Sequence, residues 1–415
     1  MFRPSFHPSA QQRAVGRNLA LDLVVAVGIG ISMALVTTLL PTIARRGGLE
    51  PIGLAALGAA PFIANLLSAF AGRVGPRSSG QLGLLRGLGA VALIAFLVEP
   101  PPVLMIVLAT VFWVSLSFGS PFYLRLWGGM YPSRLLGRLL GVVGMARAAA
   151  GALAAVVGGL LADRLGGPTA VAIAGAVGVL CATAYFGLRA GTAVEQQRFT
   201  ARQSIAALRE RPVLARVALA QGFYGGGVIA AIPLFALVHV DRLDLTLSDV
   251  GVIGVLTAVA TMVAFLVWGA VSDRFGPLVA MRIGGAIGSA AIVAYALAPD
   301  VAVLWVAALA MGIGSASIDV GIASVVSGQT TLASRAAAMA GWNAVTGARG
   351  IAAAFVMSIL VQLHVVDVTV GLLLCAIASI VGVLLFVRTD VTSPEEASVR
   401  ARGPSPSTQV PAAAR

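Results

Sequence analysis

The feature that most constrains this chain is a succession of long apolar runs. Residues 23–44, 51–72, 100–124, 165–188, 217–240, 250–272 and 368–387 contain no charged residue. Crossing the hydrocarbon layer takes about 20 mostly apolar residues in a helix. Five more runs qualify with one or two charges inside them: 78–98 with Arg86, 137–162 with Arg138 and Arg147, 278–299 with Arg282, 301–328 with Asp319, and 336–363 with Arg349. The count is twelve spans. The runs are too continuous for the alternating strands of a membrane barrel, so the expected fold class is an all-α integral membrane protein. Charged residues make up 11% of the 415 and apolar ones 59%, too few polar groups to cover a water-soluble protein of this size.

The net charge is +12, carried wholly by 28 arginines with no lysine. Such a charge can mark a nucleic-acid partner, so its placement decides. With the N-terminus inside, 22 arginines fall on inner segments, and four on outer ones (Arg45, Arg46, Arg164, Arg242). Arg147 and Arg349 lie within spans. This is the bias of a cytoplasmic-facing surface, so the charge reads as topology and nucleic acid is excluded. No small-residue cleavage site follows the first apolar run. Both termini are expected in the cytoplasm and the chain in a bacterial inner membrane. Cys181 and Cys375 lie in apolar runs and suggest no disulfide framework.

The organisation expected is a cytoplasmic N-tail (1–16), a six-helix bundle (17–188), a polar linker (189–211), a second six-helix bundle (212–388) and a disordered C-tail (389–415). The linker reads either as a solvated connection or as a helix on the inner surface, started by Ser204. The halves echo one another. Ser133-Arg134 opens span five and Ser334-Arg335 opens span eleven, and each is followed by an intramembrane arginine, Arg147 and Arg349.

The most specific motif follows span eight: Gly269-x-x-x-Asp273-Arg274-x-Gly276-Pro277. It resembles the G-x-x-x-D-R-x-G signature of the major facilitator superfamily, at that family's position. The first-half counterpart keeps Arg73 and Gly75 but has Gly72 in place of the aspartate. The resemblance covers roughly residues 17–388. It implies twelve transmembrane helices in two pseudo-symmetric six-helix bundles around a central cavity. Spans one, four, seven and ten would line the cavity, and spans two, five, eight and eleven would join the halves. It also implies that Asp273 accepts backbone N–H groups at the start of span five, near Gly137, locking the outward-facing state. Gly276 would permit the turn and Gly269 a close helix contact. The family's drug–proton antiporters carry Gly-Pro before Gly-Gly in span five; here Ala154-Ala155 precedes Gly158-Gly159.

Ionisable residues inside spans are costly and mark candidate sites. Asp22 and Asp319 are proton-coupling candidates. Arg147 and Arg349 are candidates for a substrate clamp or for charge pairs, Asp319 with Arg349 and Asp22 with Arg147. Pairs that only brace the bundles remain the alternative. Asn65, Gln221, Tyr224, Trp342 and Asn343 are uncharged cavity candidates, and the glycines of 221–227 would let span seven bend. With no Walker loop and no His/Cys cluster, neither an ATPase subunit nor a metal is expected, and no cofactor beyond an ion gradient. The expectation is a monomeric, non-enzymatic secondary transporter in the lipid bilayer, carrying a small molecule by alternating access. Proton-coupled efflux of an apolar or amphipathic compound leads, and proton-coupled uptake of a small organic anion follows. A non-transporting sensor and a membrane-embedded enzyme are the rivals of another class.

Overall fold

The computed structural model describes residues 10–68, 75–189, 203, 206, 208, 211–330 and 332–389. Arg73, most of the linker with Ser204, and most of both tails lie outside the described residues. Among the described residues, twelve helices are long and apolar enough to cross a membrane: α1 (Arg13–Arg46), α2 (Pro51–Ser68), α3 (Ser79–Val98), α4 (Pro102–Met130), α5 (Leu135–Leu165), α6 (Gly167–Gly187), α7 (Pro212–Arg242), α8 (Leu247–Phe275), α9 (Pro277–Leu297), α10 (Val301–Gln329), α11 (Ala338–Gln362) and α12 (Val368–Val387). Among the described residues there is no strand.

Helix starts follow local chemistry. Ser78 accepts the N–H of Gln81, and Asp300 those of Ala302 and Val303. Thr246 and Asp249 cap each other's ends at the start of α8. Asp367 accepts the N–H of Val370. Each cap satisfies orphan donors that lipid could not.

The two six-helix halves meet along two seams, α5 against α8 and α2 against α11. Small residues make the first seam close. A Cβ on Gly251 would fall 2.4 Å from the Ala155 carbonyl oxygen, and one on Gly159 would fall 2.5 Å from that of Leu247. Within the halves the same device recurs: Gly30 of α1 lies on the Arg147 backbone, and Gly314 of α10 on Gly288 of α9.

Two spans widen into π-helical turns, Leu35–Leu39 in α1 and Val238–Arg242 in α7. The turn in α7 ends that helix at the arginine-poor face, while the one in α1 is followed by a further helical segment, Leu40–Arg46. The glycine-rich segment of α7 does not break it; the helix runs unbroken from Pro212 to Leu237. There Gly227 packs on the Cys375 carbonyl of α12, while Gly222 and Gly226 meet nothing within 4 Å. Gly227 is thus spent on packing, while Gly222 and Gly226 border open space.

Candidate functional site

Hydrogen bonds joining the halves gather at the arginine-poor face. Asp163, at the end of α5, accepts the backbone N–H groups of Leu247 and Ser248 at 2.9 Å each, and the Ser248 hydroxyl as well. These are the first residues of α8, where free N–H groups and the helix dipole favour a carboxylate. Arg45 of α1 forms a bidentate pair with Asp241 of α7, at 3.0–3.1 Å from Nε. Arg46 donates to the Leu245 carbonyl. Thr42 and His239 share a buried hydrogen bond of 3.2 Å. On the second seam Gln362 of α11 donates to Glu50 and accepts the N–H of Ile52. The two bundles are latched together here.

The motif predicted to latch the other face is free. Asp273 and Arg274 are exposed, and Arg274 lies over the Phe275 ring. A Cβ on Gly269 or on Gly137 would meet nothing within 4 Å. Asp273 therefore does not cap α5 in this conformation, and Gly269 makes no close helix contact. Gly276 does serve the turn, at φ 89° and ψ 155°, a region open essentially to glycine. Gly75 opens the turn into the segment where Arg77 N–H meets Gln81 Oε1 at 2.8 Å.

A second copy of the motif explains the asymmetry. Residues 159–166 read Gly159-x-x-x-Asp163-Arg164-x-Gly166, the same spacing as 269–276. Gly166 has φ 93° and ψ 143°, close to Gly276, and both N–H groups close onto the carbonyl four residues back, Ala162 and Ser272. Here Asp163 is engaged across the halves and Asp273 is not. Its sequence signal was the spacing itself, at a loop read as an ordinary outer turn.

Neither predicted charge pair forms. Asp22 is fully buried and is held by three donors at the end of α4: the Tyr123 hydroxyl, Trp127 Nε1 at 2.9 Å and the hydroxyl of Tyr131, the residue that follows the helix, at 2.9 Å. Arg147 is exposed and has no hydrogen-bond partner among the described residues. Three hydrogen bonds offset the burial of the Asp22 carboxylate where one distant arginine would not.

Asp319 of α10 is exposed and unpaired, although its charge is near enough to act on the Tyr224 hydroxyl. Arg349 of α11 instead reaches α7, where its Nη1 donates to the Gln221 carbonyl at 2.5 Å. Its Nε has no protein acceptor, and neither does Gln221 Oε1 have a donor. Gly225 leaves the space, since a Cβ there would lie 2.9 Å from Arg349 Nη2. Arg349 thus joins α11 to Gln221 of α7, and the charge of Asp319 on α10 acts on Tyr224 of α7. Tyr224 and Trp342 are buried together with Met281 and Ile318, so they serve as packing. Asn343 is exposed. Asn65 is exposed in α2 and accepts from Ser117 of α4 at 3.2 Å.

A twelve-helix protein of two halves, seamed by α2, α5, α8 and α11 and latched at one face, is a multi-pass membrane protein with the architecture of a transporter. The chain belongs to the major facilitator superfamily, whose family model matches residues 23–301 and again 217–413. No curated protein sequence matches it. Among solved structures it is similar to the nucleoside transporter NupG, with TM-score 0.72 and 14% identity over 90% of this chain and 98% of that one. A bacterial homologue of the iron transporter ferroportin in an inward-facing state gives TM-score 0.70, with 14% identity over 92% and 99%. A bacterial homologue of the human lysosomal transporter Spinster, inward-facing and occupied, gives 0.67, with 14% identity over 92% and 96%. At such identity the likeness establishes the fold.

Proposed function

We propose that this protein is a proton-coupled secondary transporter that works by alternating access, with Asp319 as the proton carrier and Arg349 as the substrate anchor. The observation that carries the reading is the pair of matched latches, one engaged at Asp163 and one free at Asp273. A two-state carrier needs such alternatives, each stabilising one closure. With the arginine-rich face taken as cytoplasmic, this conformation is closed outside and open inward.

An exposed aspartate in mid-span can exchange protons with water entering the open cavity, whereas the sealed Asp22 cannot. Arg349 is half-buried and donates from Nη1 to the Gln221 carbonyl, which holds its positive charge at the α7–α11 contact. That charge supports a substrate with an acidic group, and the partly buried Trp113 and Phe118 of α4 support an amphipathic body. Export and uptake run through the same site.

The test is transport in reconstituted vesicles under an imposed pH gradient, screened with amphipathic organic acids and with neutral analogues. Accumulation that follows the gradient, and is lost in Asp319→Asn, supports the reading. Transport indifferent to the gradient removes the proton, and acids no better than neutral analogues remove Arg349 as anchor. The sign of coupling separates export from uptake.

A further inference from the structure

Arg86 stands apart from everything above. It lies in the interior of α3, in the N-terminal bundle, and is 7% exposed. Its Nε and Nη1 are buried and have no protein acceptor. The Tyr185 hydroxyl, at the end of α6, is likewise buried without a hydrogen bond of normal geometry, and it lies beside Arg86 and Tyr123. Among the described residues no carboxylate pairs with Arg86; Asp22, in the same bundle, has its three donors at the end of α4.

Arg86 and Tyr185 line one cavity of about 30 Å³, together with Ser32, Ser115, Gly178 and Cys181. A water-sized particle needs about 10–15 Å³ of such space, so the cavity holds a particle of one or a few atoms. Three glycines make close contacts with residues of this cavity, and one of them, Gly178, lines it. A Cβ on Gly119 would come within 3.3 Å of Arg86 Nε, one on Gly89 within 1.9 Å of Ser115 Oγ, and one on Gly178 within 2.8 Å of Ser32 Oγ. The two serine hydroxyls already donate to backbone carbonyls, Ser32 to Ala174 and Ser115 to Phe112. The donors without acceptors are therefore Arg86 Nε, Arg86 Nη1 and the Tyr185 hydroxyl. All three suit negative charge, and a buried guanidinium without a counter-charge is costly.

We infer that this cavity is a binding site for a small monatomic anion of the halide class, seated between Arg86 and Tyr185 inside the N-terminal bundle. The anion neutralises Arg86 and ties α3 to α6. The site is separate from Asp319 and Arg349 of the other half, and its occupancy does not depend on what the protein carries.

The test is thermal unfolding of the full chain in lipid nanodiscs, in sodium chloride, sodium bromide and sodium gluconate at equal ionic strength. Chloride and bromide should raise Tm over gluconate by about 2–4 °C, as expected for a ligand well above its Kd. Arg86→Gln should lose that increment, and Tyr185→Phe should raise the halide concentration giving half the shift by about ten-fold, as for one lost hydrogen bond. A bromide-soaked crystal should show an anomalous peak between the two side chains. Equal unfolding in all three salts, an increment retained in Arg86→Gln, or a bromide peak elsewhere overturns the site. If Arg86→Gln does not fold, the Tyr185→Phe titration and the bromide peak decide alone.

Discussion

Asp163 accepts the Ser248 backbone N–H at 2.9 Å across the two halves of the molecule. With the Leu247 N–H and the Ser248 hydroxyl, it closes the arginine-poor face on the first turn of α8. Hydrogen bonds to a charged group contribute about 1.5–3 kcal/mol. Asp163→Ala is therefore expected to favour opening of this face by about 10- to 100-fold, a shift that follows from that energy. Spin labels at Leu97 and Leu297, both exposed near that face, should report a longer distance distribution in the variant. An unchanged distribution would mean that the seam packing alone holds the closure. Arg45→Ala should shift it far less, because the Arg45–Asp241 pair is partly solvated and such pairs contribute about 0–1 kcal/mol.

The reciprocal variant acts on the free latch. Asp273 is exposed and makes no hydrogen bond among the described residues, so Asp273→Asn should leave the stability of this conformation unchanged, within about 0.5 kcal/mol as for an exposed site. Its cost falls on the opposite closure, where the carboxylate would cap α5. Transport turnover should drop several-fold while substrate affinity measured in the inward-open form is kept. Loss of affinity together with turnover would place Asp273 in the binding site instead.

The spans and their orientation were legible because apolar run length and arginine bias are one-dimensional properties. The motif at 269–276 was legible because its spacing is local. Its twin at 159–166 has the same spacing, but Asp163-Arg164 sits at the end that the positive-inside bias marks as an ordinary outer turn. The Asp22 partners were invisible for another reason: Tyr123, Trp127 and Tyr131 lie 101–109 positions away, and no local spacing ties them to Asp22. Arg86 was counted among the inner-face arginines, although it sits well inside the run 78–98. Charge pairing was the wrong currency for these sites. Neutral donors satisfy Asp22, and a backbone carbonyl takes Arg349.

Two glycines of α7 make a contrast within one helix. A Cβ on Gly227 would lie 2.3 Å from the Cys375 carbonyl oxygen, whereas one on Gly222 meets nothing within 4 Å. Gly227→Ala must push α12 away, an overpacking cost of about 1–3 kcal/mol. Gly222→Ala gains helix propensity of up to about 1 kcal/mol. Thermal unfolding in nanodiscs should show Tm falling in the first variant and holding or rising in the second. Equal behaviour would mean that the α7–α12 contact relaxes freely.

The two intramembrane aspartates should separate by phenotype. Asp22 is sealed and makes three hydrogen bonds at the end of α4, so it braces the N-terminal bundle. Asp22→Asn keeps the size but replaces one acceptor oxygen with a donor facing donors. Leaving a buried group unsatisfied costs about 1–3 kcal/mol, which should lower Tm. Tyr131→Phe should do the same to a smaller extent. Both should retain transport driven by a pH gradient, scaled to the amount of folded protein. Asp319 is exposed and unpaired, so Asp319→Asn should unfold at the wild-type temperature. It should also abolish accumulation against a gradient while downhill exchange of substrate continues. If Asp22→Asn uncouples transport at normal stability and Asp319→Asn does not, the assignments are reversed, and the proton must then reach Asp22 through the aromatic side chains that seal it in this conformation.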